Sequence, residues 1–506
     1  MTEKKWKDLN ILVKNRCFMT KDEIVKLGVI DCLAGLQNKK FSAVENVNAF
    51  ADKVKENKLN AFITTTIDYA VERAKKVDSG EITGKLAGVV FGVKDVFCTK
   101  GIRTTCGSKM LEKFVPQYNA TIWQKLEDEG AILIGKNNMD EFSMGSSGGT
   151  SFFGGAVNPH KDKTRPNENL VPGGSSSGSA VAVADNECNV SVGGDTGGSI
   201  RQPASFCGIV GVRPTYGRCS RNGLISYASS LDQAGVLGKS VDDCAYVLDI
   251  MSGQDDKDST MIREGAMDNY NAIKDGKNID VFGLTIGIPV ECKSDKTLKS
   301  VNDFWQRTAK MLEKKGVKIK EISIEHMEKA VEVYYTITTA EAFSNLARFD
   351  GVRYTTRVDG ENINEIYSNT KSQCFGKEVQ RRILTGAYVL SASHYEEAYV
   401  RAMKVRRVIH DNFKKAFNDV DILLMPVSPN VAFGFNDKKD PIEMYLNDIY
   451  TIPSALVGLG GISVPVGYDD VTGLPIGMQL VPKWKDELTM FKFAKCIENA
   501  MKAGEL

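Results

Sequence analysis

The chain has 506 residues, of which 42% are hydrophobic and 25% are charged, and its formal net charge at pH 7 is +1. This composition is typical of a soluble globular protein and argues against a strongly basic, nucleic-acid-binding chain. Eleven cysteines without a Cys-x-x-Cys pair argue against a zinc site and favour a reduced, cytoplasmic setting. No run approaches the ~20 apolar residues of a membrane span, and early acidic residues such as Glu3 and Asp8 argue against a transit peptide.

The first 70 residues are predicted to form a helical segment packed on the core. Ser42 and Glu45 have the spacing of a capping box, and apolar residues recur at helical spacing after them. Residues 60–66 are predicted to form a strand, and residues 68–77 another helix. From there strand and helix alternate, which indicates one large α/β domain over residues 71–506, with a sheet enclosed by helices.

A lysine lies inside the next apolar run. Residues 86–97 predict a buried strand that contains Lys94. Burial lowers the pKa of a lysine and allows its neutral form to act as a base for a serine nucleophile. A lysine at a sheet edge that extends to solvent, or one paired with Asp95, would give the same pattern. The residues alone leave these interpretations open.

Residues 121–169 are predicted to form a helix, a strand and two loops. A helix is predicted over residues 121–129 and a short buried strand over residues 131–135. The glycine-rich loop of residues 146–155 is either a surface turn or part of a pocket entrance. Residues 160–169 are polar, and we expect them to be exposed and non-catalytic.

Two Gly/Ser clusters, residues 173–179 and 193–199, flank a short segment of small residues. Glycine-rich loops present consecutive backbone N–H groups to an oxyanion, and serines are candidate nucleophiles. No lysine follows either cluster, so a phosphate-binding P-loop is weakly supported. Residues 174–178 also satisfy Gly-x-Ser-x-Gly, which would make Ser176 the nucleophile of a Ser-His-Asp triad. None of the four histidines lies in a glycine-rich loop.

The block of residues 173–203 resembles the signature of the amidase signature family, whose enzymes use a Ser–cis-Ser–Lys triad. The resemblance implies the α/β amidase signature fold, a central mixed, twisted β-sheet covered by helices on both faces. It implies that Ser199 is the acyl nucleophile, that Ser175 is the bridging serine on a cis peptide bond, and that Lys94 is the base. The implied oxyanion hole consists of backbone N–H groups of Thr196, Gly197, Gly198 and Ser199.

One position departs from the family pattern, because Ser177 stands where the family usually has glycine. The substitution touches none of the three implied triad positions. Further segments, residues 214–235, 348–354 and 444–448, resemble the glutaminase subunits of tRNA-dependent amidotransferases within this family.

That branch implies hydrolysis of glutamine to glutamate and ammonia. The ammonia would convert Glu-tRNA(Gln) to Gln-tRNA(Gln) on a partner subunit, and Asp-tRNA(Asn) is left open as a second acceptor. The resemblance also implies a heterotrimer with B and C subunits, aminoacyl-tRNA held mainly by the B subunit, and ATP and Mg at the partner. No cofactor or metal is expected in this chain. The alternative is a stand-alone amidase that hydrolyses a small or aryl amide.

Free glutamine carries an α-carboxylate and an α-ammonium, so its pocket needs an arginine and an acid. The resemblance implies Arg382 for the carboxylate, Asp448 for the ammonium and Tyr334 as a pocket hydroxyl. Arg381 and Tyr335 are the neighbouring alternatives. Both arginines and Asp448 could instead be charges on a helix surface.

The C-terminal part of the chain, from residue 293 onward, is predicted to complete the domain. Residues 293–320 contain an amphipathic stretch that packs on the outside of the sheet, and residues 401–417 form a basic amphipathic helix with a solvated face. RNA contact is the alternative for that helix. Residues 458–467 and 474–481 are predicted core strands, and residues 487–501 a closing helix.

Overall fold

The computed structural model describes residues 19–275, 279–438 and 440–506. Residues 1–18 of the predicted N-terminal segment therefore lie outside the described residues. The described chain begins with three helices, α1 Lys21–Ile24, α2 Val29–Gln37 and α3 Ala43–Glu56, and a fourth helix, α4 Ile67–Asp78, follows the first strand. Helix α4 runs through residue 70, and a domain division there stays a prediction.

The capping box predicted at the start of α3 is present. The Ser42 hydroxyl accepts a hydrogen bond from the Glu45 N–H at 3.1 Å, and the Glu45 carboxylate accepts one from the Ser42 N–H at 2.7 Å. These two bonds satisfy backbone donors that the first turn of a helix leaves unpaired. The sequence pattern therefore sets the start of α3.

Eleven strands form one sheet within the described residues. They are β1 Phe62–Thr65, β2 Val90–Lys94, β3 Ile132–Asn137, β4 Val190–Asp195, β5 Val210–Arg213, β6 Gln233–Gly238, β7 Thr285–Pro289, β8 Lys318–Ile322, β9 Ile422–Pro426, β10 Gly461–Tyr468 and β11 Pro475–Pro482. The order across the sheet is β1-β3-β2-β4-β6-β5-β10-β11-β9-β7-β8. Strand β2 is parallel to β3 and β4, whereas β4 and β6 are antiparallel, so the sheet is mixed.

Thirteen further helices surround the sheet in the described part of the chain. They are α5 Thr121–Asp128, α6 Ser177–Ala184, α7 Arg201–Phe206, α8 Val241–Met251, α9 Asn269–Ile273, α10 Lys299–Lys314, α11 Ala330–Leu346, α12 Ile363–Cys374, α13 Lys377–Val389, α14 Arg401–Ala416, α15 Pro441–Tyr445, α16 Ile452–Leu456 and α17 Glu487–Lys502. None of the described helices is long and apolar enough to cross a membrane.

Apolar residues of the central strands alternate between two cores. Val90 of β2 packs in a cluster with residues of α3, α4 and α6, while its neighbour Phe91 packs in the larger core with Trp123 of α5. Successive side chains of a strand point to opposite faces. Helices therefore cover both faces of this part of the sheet, as predicted.

The parallel pairing of β2 and β4 positions the candidate site. The carboxyl ends of parallel neighbouring strands lie at the same edge of a sheet. Lys94 and Asp195, the last residues of β2 and β4, therefore lie close together. The glycine-rich loop of residues 196–199 begins at that point. Helix α6, which begins within the other Gly/Ser cluster, packs against β2 and β4.

Candidate active site

Lys94 is completely buried at the end of β2. Burial lowers the pKa of Lys94 to about 7, although Asp140, Asp195 and Asp232 act in the opposite direction. The side chain is neither at a sheet edge nor paired with Asp95. Asp95 lies instead on the other face of the strand, where its carboxylate is 3.2 Å from the buried ammonium of Lys136.

The Lys94 side-chain nitrogen is hydrogen-bonded to one of the predicted serines. Its Nζ donates to Ser175 Oγ at 2.7 Å and to the carbonyl oxygen of Gly194 at 3.2 Å. The Gly174–Ser175 peptide bond is cis. The carbonyl of Ser175 accepts a hydrogen bond from the Asp140 N–H at 3.2 Å, which ties this turn to the residues after β3.

The Ser199 backbone contacts the residue that follows Ser175. Its carbonyl oxygen accepts a hydrogen bond from the Ser176 N–H at 3.1 Å, so the two Gly/Ser clusters are in contact. Its hydroxyl is bonded to no residue that the structure describes. The Ser176 hydroxyl, in contrast, donates to the Gly194 carbonyl at 3.0 Å and accepts from the Gly194 N–H at 3.2 Å. No hydrogen bond joins Ser176 to a histidine within the described ranges.

Close packing explains the two glycines of the loop before Ser199. A β-carbon on Gly197 would lie 2.8 Å from Tyr334 Cζ, and one on Gly198 would lie 2.2 Å from Thr451 Oγ1. Gly198 also has a φ of +156°, which favours glycine. The loop can therefore present its backbone to a ligand at close range.

A buried ion cluster holds the base of this loop, and sequence reasoning did not single it out. Asp195 accepts from Arg201 Nε at 3.1 Å, and Arg213 lies against the same carboxylate. Burial acts to raise the pKa of Asp195, but Arg201 and Arg213 hold it below its usual range. Arg201 lies inside the block of residues 173–203 and Arg213 lies shortly after it. Their position in or next to this block was the sequence signal that could have identified the cluster.

Arg382, rather than Arg381, points into the protein. Its Nε donates to the Glu378 carboxylate at 2.8 Å and one terminal nitrogen donates to the Tyr227 hydroxyl at 2.8 Å. The guanidinium carbon lies 5.2 to 5.5 Å from the ring centroids of Tyr227, Tyr335 and Tyr445. Such stacking on aromatic faces fixes the orientation of an arginine.

Asp448 is also buried, and it lies next to the glycine loop. A β-carbon on Gly198 would be 3.5 Å from Asp448 Oδ1. That oxygen has no hydrogen-bond partner among the described residues. Burial, with a smaller contribution from Asp195, raises the pKa of Asp448 to about 8. Asp448 and Tyr334 thus flank Gly197 and Gly198.

A pocket of about 330 Å³ opens next to Arg382, and its described lining includes neither the three predicted triad residues nor Tyr334 or Asp448. Its walls include both Arg381 and Arg382, Tyr445, and Ser146, Ser147 and Thr150 of the loop at 146–155. Glu378, Tyr227 and Tyr445 were missed by sequence reasoning, although the last two lie in the family-like segments 214–235 and 444–448. Across the described ranges, no group of three His, Cys, Asp or Glu side chains is arranged to hold a metal ion.

The comparisons with known proteins identify the family of this chain. The family model described as Amidase matches residues 45–490, and the chain therefore belongs to the amidase family. The predicted family, fold class and enzyme class are confirmed.

Within that family, the chain is 47% identical to the A subunit of the glutamyl-tRNA(Gln) amidotransferase of Wolbachia sp. subsp. Drosophila simulans (strain wRi), over 94% of this chain and 98% of the relative. The corresponding A subunit of Zymomonas mobilis is 46% identical, with 94% and 97% covered. The crystal structure of the A subunit from Thermotoga maritima matches with a TM-score of 0.76 at 35% identity, covering 94% of this chain and 95% of that one. The native peptide amidase of Stenotrophomonas maltophilia matches with a TM-score of 0.78 at 26% identity, covering 94% and 97%.

Proposed function

We propose that this chain is the glutaminase subunit of a tRNA-dependent amidotransferase. The observation that carries the choice of glutamine is the buried Asp448 oxygen without a partner among the described residues beside Gly198, with the buried Arg382 nearby. Burial of an oxygen without a donor is costly unless a ligand group such as an ammonium completes its hydrogen bonding. The relatives' names, which describe the A subunit of glutamyl-tRNA(Gln) amidotransferase, support the same assignment.

The proposed chemistry is acyl transfer through the Lys94, Ser175 and Ser199 triad. Neutral Lys94 takes a proton from Ser175, which takes the proton of Ser199, and Ser199 Oγ attacks the side-chain amide carbon of glutamine. The Lys94–Ser175 distance of 2.7 Å supports the first transfer. The relayed proton returns to the leaving nitrogen, ammonia departs, and water hydrolyses the acyl-enzyme to glutamate.

Backbone donors would hold the developing negative charge. The proposed donors are the N–H groups of Thr196, Gly197 and Gly198, together with that of Ser199 itself. Such donors stabilise the transition state most strongly in a buried site that excludes water. The close contacts of Gly197 and Gly198 with Tyr334 and Thr451 fix the course of this loop, which supports the assignment.

The proposed substrate contacts use complementary charge. Arg382 would bind the α-carboxylate of glutamine and Asp448 its α-ammonium, with the Tyr334 hydroxyl as a further polar contact. Glu378, Tyr227 and the stacked tyrosines already orient Arg382 without a ligand. A preformed guanidinium loses little entropy when it binds a carboxylate.

The ammonia would be used on a partner. In this proposal a B subunit holds Glu-tRNA(Gln) and binds ATP and Mg, a C subunit completes a cytoplasmic heterotrimer, and Asp-tRNA(Asn) is a second acceptor to be tested. The alternative is a stand-alone amidase for a small or aryl amide. The similarity to a structure named as a peptide amidase supports amide hydrolysis but not that choice of amide.

One experiment separates the two. The full-length chain is assayed for ammonia release from glutamine and from propionamide, both alone and co-purified with B and C subunits. The complex is also assayed for conversion of Glu-tRNA(Gln) to Gln-tRNA(Gln) with ATP and Mg. Glutaminase activity that partners stimulate, together with Gln-tRNA(Gln) formation, supports the proposal. If the lone chain cleaves propionamide and no preparation hydrolyses glutamine, the amidotransferase role is wrong.

A further inference from the structure

A second buried aspartate lies where two strands end beside the glycine loop. Strands β4 and β6 are antiparallel and pair Asp195 with Gln233. The next residue beyond β4, Thr196, and the residue before β6, Asp232, are therefore neighbours at the same end of the sheet. Both are buried, with exposed fractions of 3% each.

The Asp232 carboxylate accepts three hydrogen bonds. One oxygen accepts from the Thr196 hydroxyl at 2.8 Å, and the other accepts from the N–H groups of Tyr227 and Ala228 at 3.0 Å each. An ionised carboxylate can only accept hydrogen bonds, and all three groups bonded to Asp232 are donors. Burial raises the pKa of Asp232 to about 6, so the group is ionised at neutral pH.

The two oxygens of Asp232 lead to two different parts of the candidate site. Thr196 begins the loop that would form the oxyanion hole. Tyr227 presents its ring to Arg382, and its hydroxyl accepts a hydrogen bond from the guanidinium at 2.8 Å. One carboxylate therefore connects the loop before Ser199 with the support of the substrate-binding arginine.

We propose that Asp232 is a positioning residue that fixes both the oxyanion-hole backbone at Thr196 and, through Tyr227, the guanidinium of Arg382. The Thr196 connection concerns the hydrolysis of any amide. The Tyr227 connection rests on the proposed function, because it concerns only a substrate with an α-carboxylate. The two connections therefore affect different kinetic constants.

Thr196→Val removes the first connection while it keeps the side-chain shape. A misoriented N–H group stabilises the oxyanion of the transition state less well than a correctly oriented one. We therefore expect kcat to fall about tenfold with both glutamine and propionamide, at nearly unchanged KM. Thr196→Ser, which keeps the hydroxyl, should restore kcat. Thr308→Val is the matched control, since it removes a buried hydroxyl that is bonded at 2.8 Å to a helix carbonyl of α10.

Tyr227→Phe removes the outer part of the second connection, the hydrogen bond between the Tyr227 hydroxyl and Arg382, and keeps the backbone bond to Asp232. A hydrogen bond to a charged group is lost, so the KM for glutamine should rise about tenfold while kcat and the hydrolysis of propionamide stay unchanged. Tyr246→Phe, which removes an exposed hydroxyl bonded to the Lys85 carbonyl, is the control. Asp232→Asn should show both effects. If Asp232→Asn fails to fold, Thr196→Val tests the bond between Asp232 and the loop, and Tyr227→Phe tests whether Tyr227 positions Arg382.

Two results would overturn the proposal: a Thr196→Val variant that keeps its kcat on both amides, or a Tyr227→Phe variant that keeps its KM for glutamine. Failure of the proposed function looks different. A wild-type chain that hydrolyses propionamide and ignores glutamine refutes the glutaminase assignment and with it the Tyr227 connection, while the Thr196 connection is still measured on propionamide.

Discussion

Lys94 Nζ lies 2.7 Å from Ser175 Oγ, and both side chains are completely buried. A lysine in this position is of use as a base only when it is neutral, and burial provides that condition by lowering its pKa to about 7. The hydrogen bond holds the amine and the hydroxyl within the distance needed for proton transfer. The proposed chemistry depends on this pair.

Lys94→Met should abolish most of the glutaminase activity. Removal of a general base costs about 10²- to 10⁴-fold in rate, and methionine keeps the volume of the buried side chain. The measurement is kcat/KM for glutamine, with thermal unfolding as a check on the fold. Lys85→Met, at a largely exposed lysine, is the control. A Lys94→Met variant that retains a tenth of the wild-type kcat/KM would refute the role of Lys94.

The pH dependence follows from the same group. The neutral amine is the active form and its folded pKa is about 7, so kcat should rise about tenfold per pH unit below 7 and level off above it. The pKa of Asp448 is shifted upward, because burial raises it to about 8. Only the ionised form of Asp448 binds an ammonium. KM for glutamine should therefore fall as the pH rises towards 8. A kcat that is constant between pH 5 and 8 contradicts this assignment.

Asp448→Asn should weaken glutamine binding selectively. Loss of one partner of a buried charge pair costs several kcal/mol, about 2–5, so KM should rise at least about thirtyfold. The amide 4-carbamoylbutanoate lacks the α-ammonium, and its KM should not change in this variant. Asp470→Asn, at an exposed position, is the control. Equal losses with both substrates would mean that Asp448 does not recognise the ammonium.

We expect the departure at Ser177 to lower the stability of the fold. Its hydroxyl is buried without a hydrogen-bond partner among the described residues, and a β-carbon on Gly148 would be 2.5 Å from Ser177 Cβ. Ser177→Ala removes the unpaired hydroxyl and should raise the free energy of unfolding by about 1 kcal/mol.

Ser179→Ala is the matched comparison, because its hydroxyl donates to the Val192 carbonyl at 3.2 Å. That substitution should lower the free energy of unfolding by about 1 kcal/mol. Urea denaturation of both variants measures the difference. A Ser177→Ala variant that is less stable than the wild type would show that its hydroxyl has a partner.

Local patterns predicted most of the fold. The capping box at Ser42 fixed the start of α3, and the apolar run of residues 86–97 contains the central strand Val90–Lys94. Predicted and observed elements agree within a few residues at the C-terminus, where β10, β11 and α17 follow one another. Regular spacing of apolar residues is a strong signal, because it reports directly which side is buried.

Long-range contacts were beyond the reach of such patterns. Arg382 and Tyr227 are 155 residues apart in the chain, and only the packing of α13 brings them together. The pairing of Asp95 with Lys136 on a neighbouring strand was likewise not predictable, since it depends on sheet order. The expectation of exposure for residues 160–169 is wrong at Asp162, which is buried and accepts from the Thr164 backbone and hydroxyl.

The nucleophile is identified most directly by covalent trapping. The complex is treated with 6-diazo-5-oxonorleucine, a glutamine analogue that alkylates the attacking group, and is then cleaved before aspartates. Cleavage before Asp185 and Asp195 separates Ser175 and Ser176 from Ser199. We predict that mass spectrometry finds the adduct on Ser199 and that Ser199→Ala abolishes labelling. An adduct on Ser176, with labelling intact in Ser199→Ala, would contradict the proposed triad.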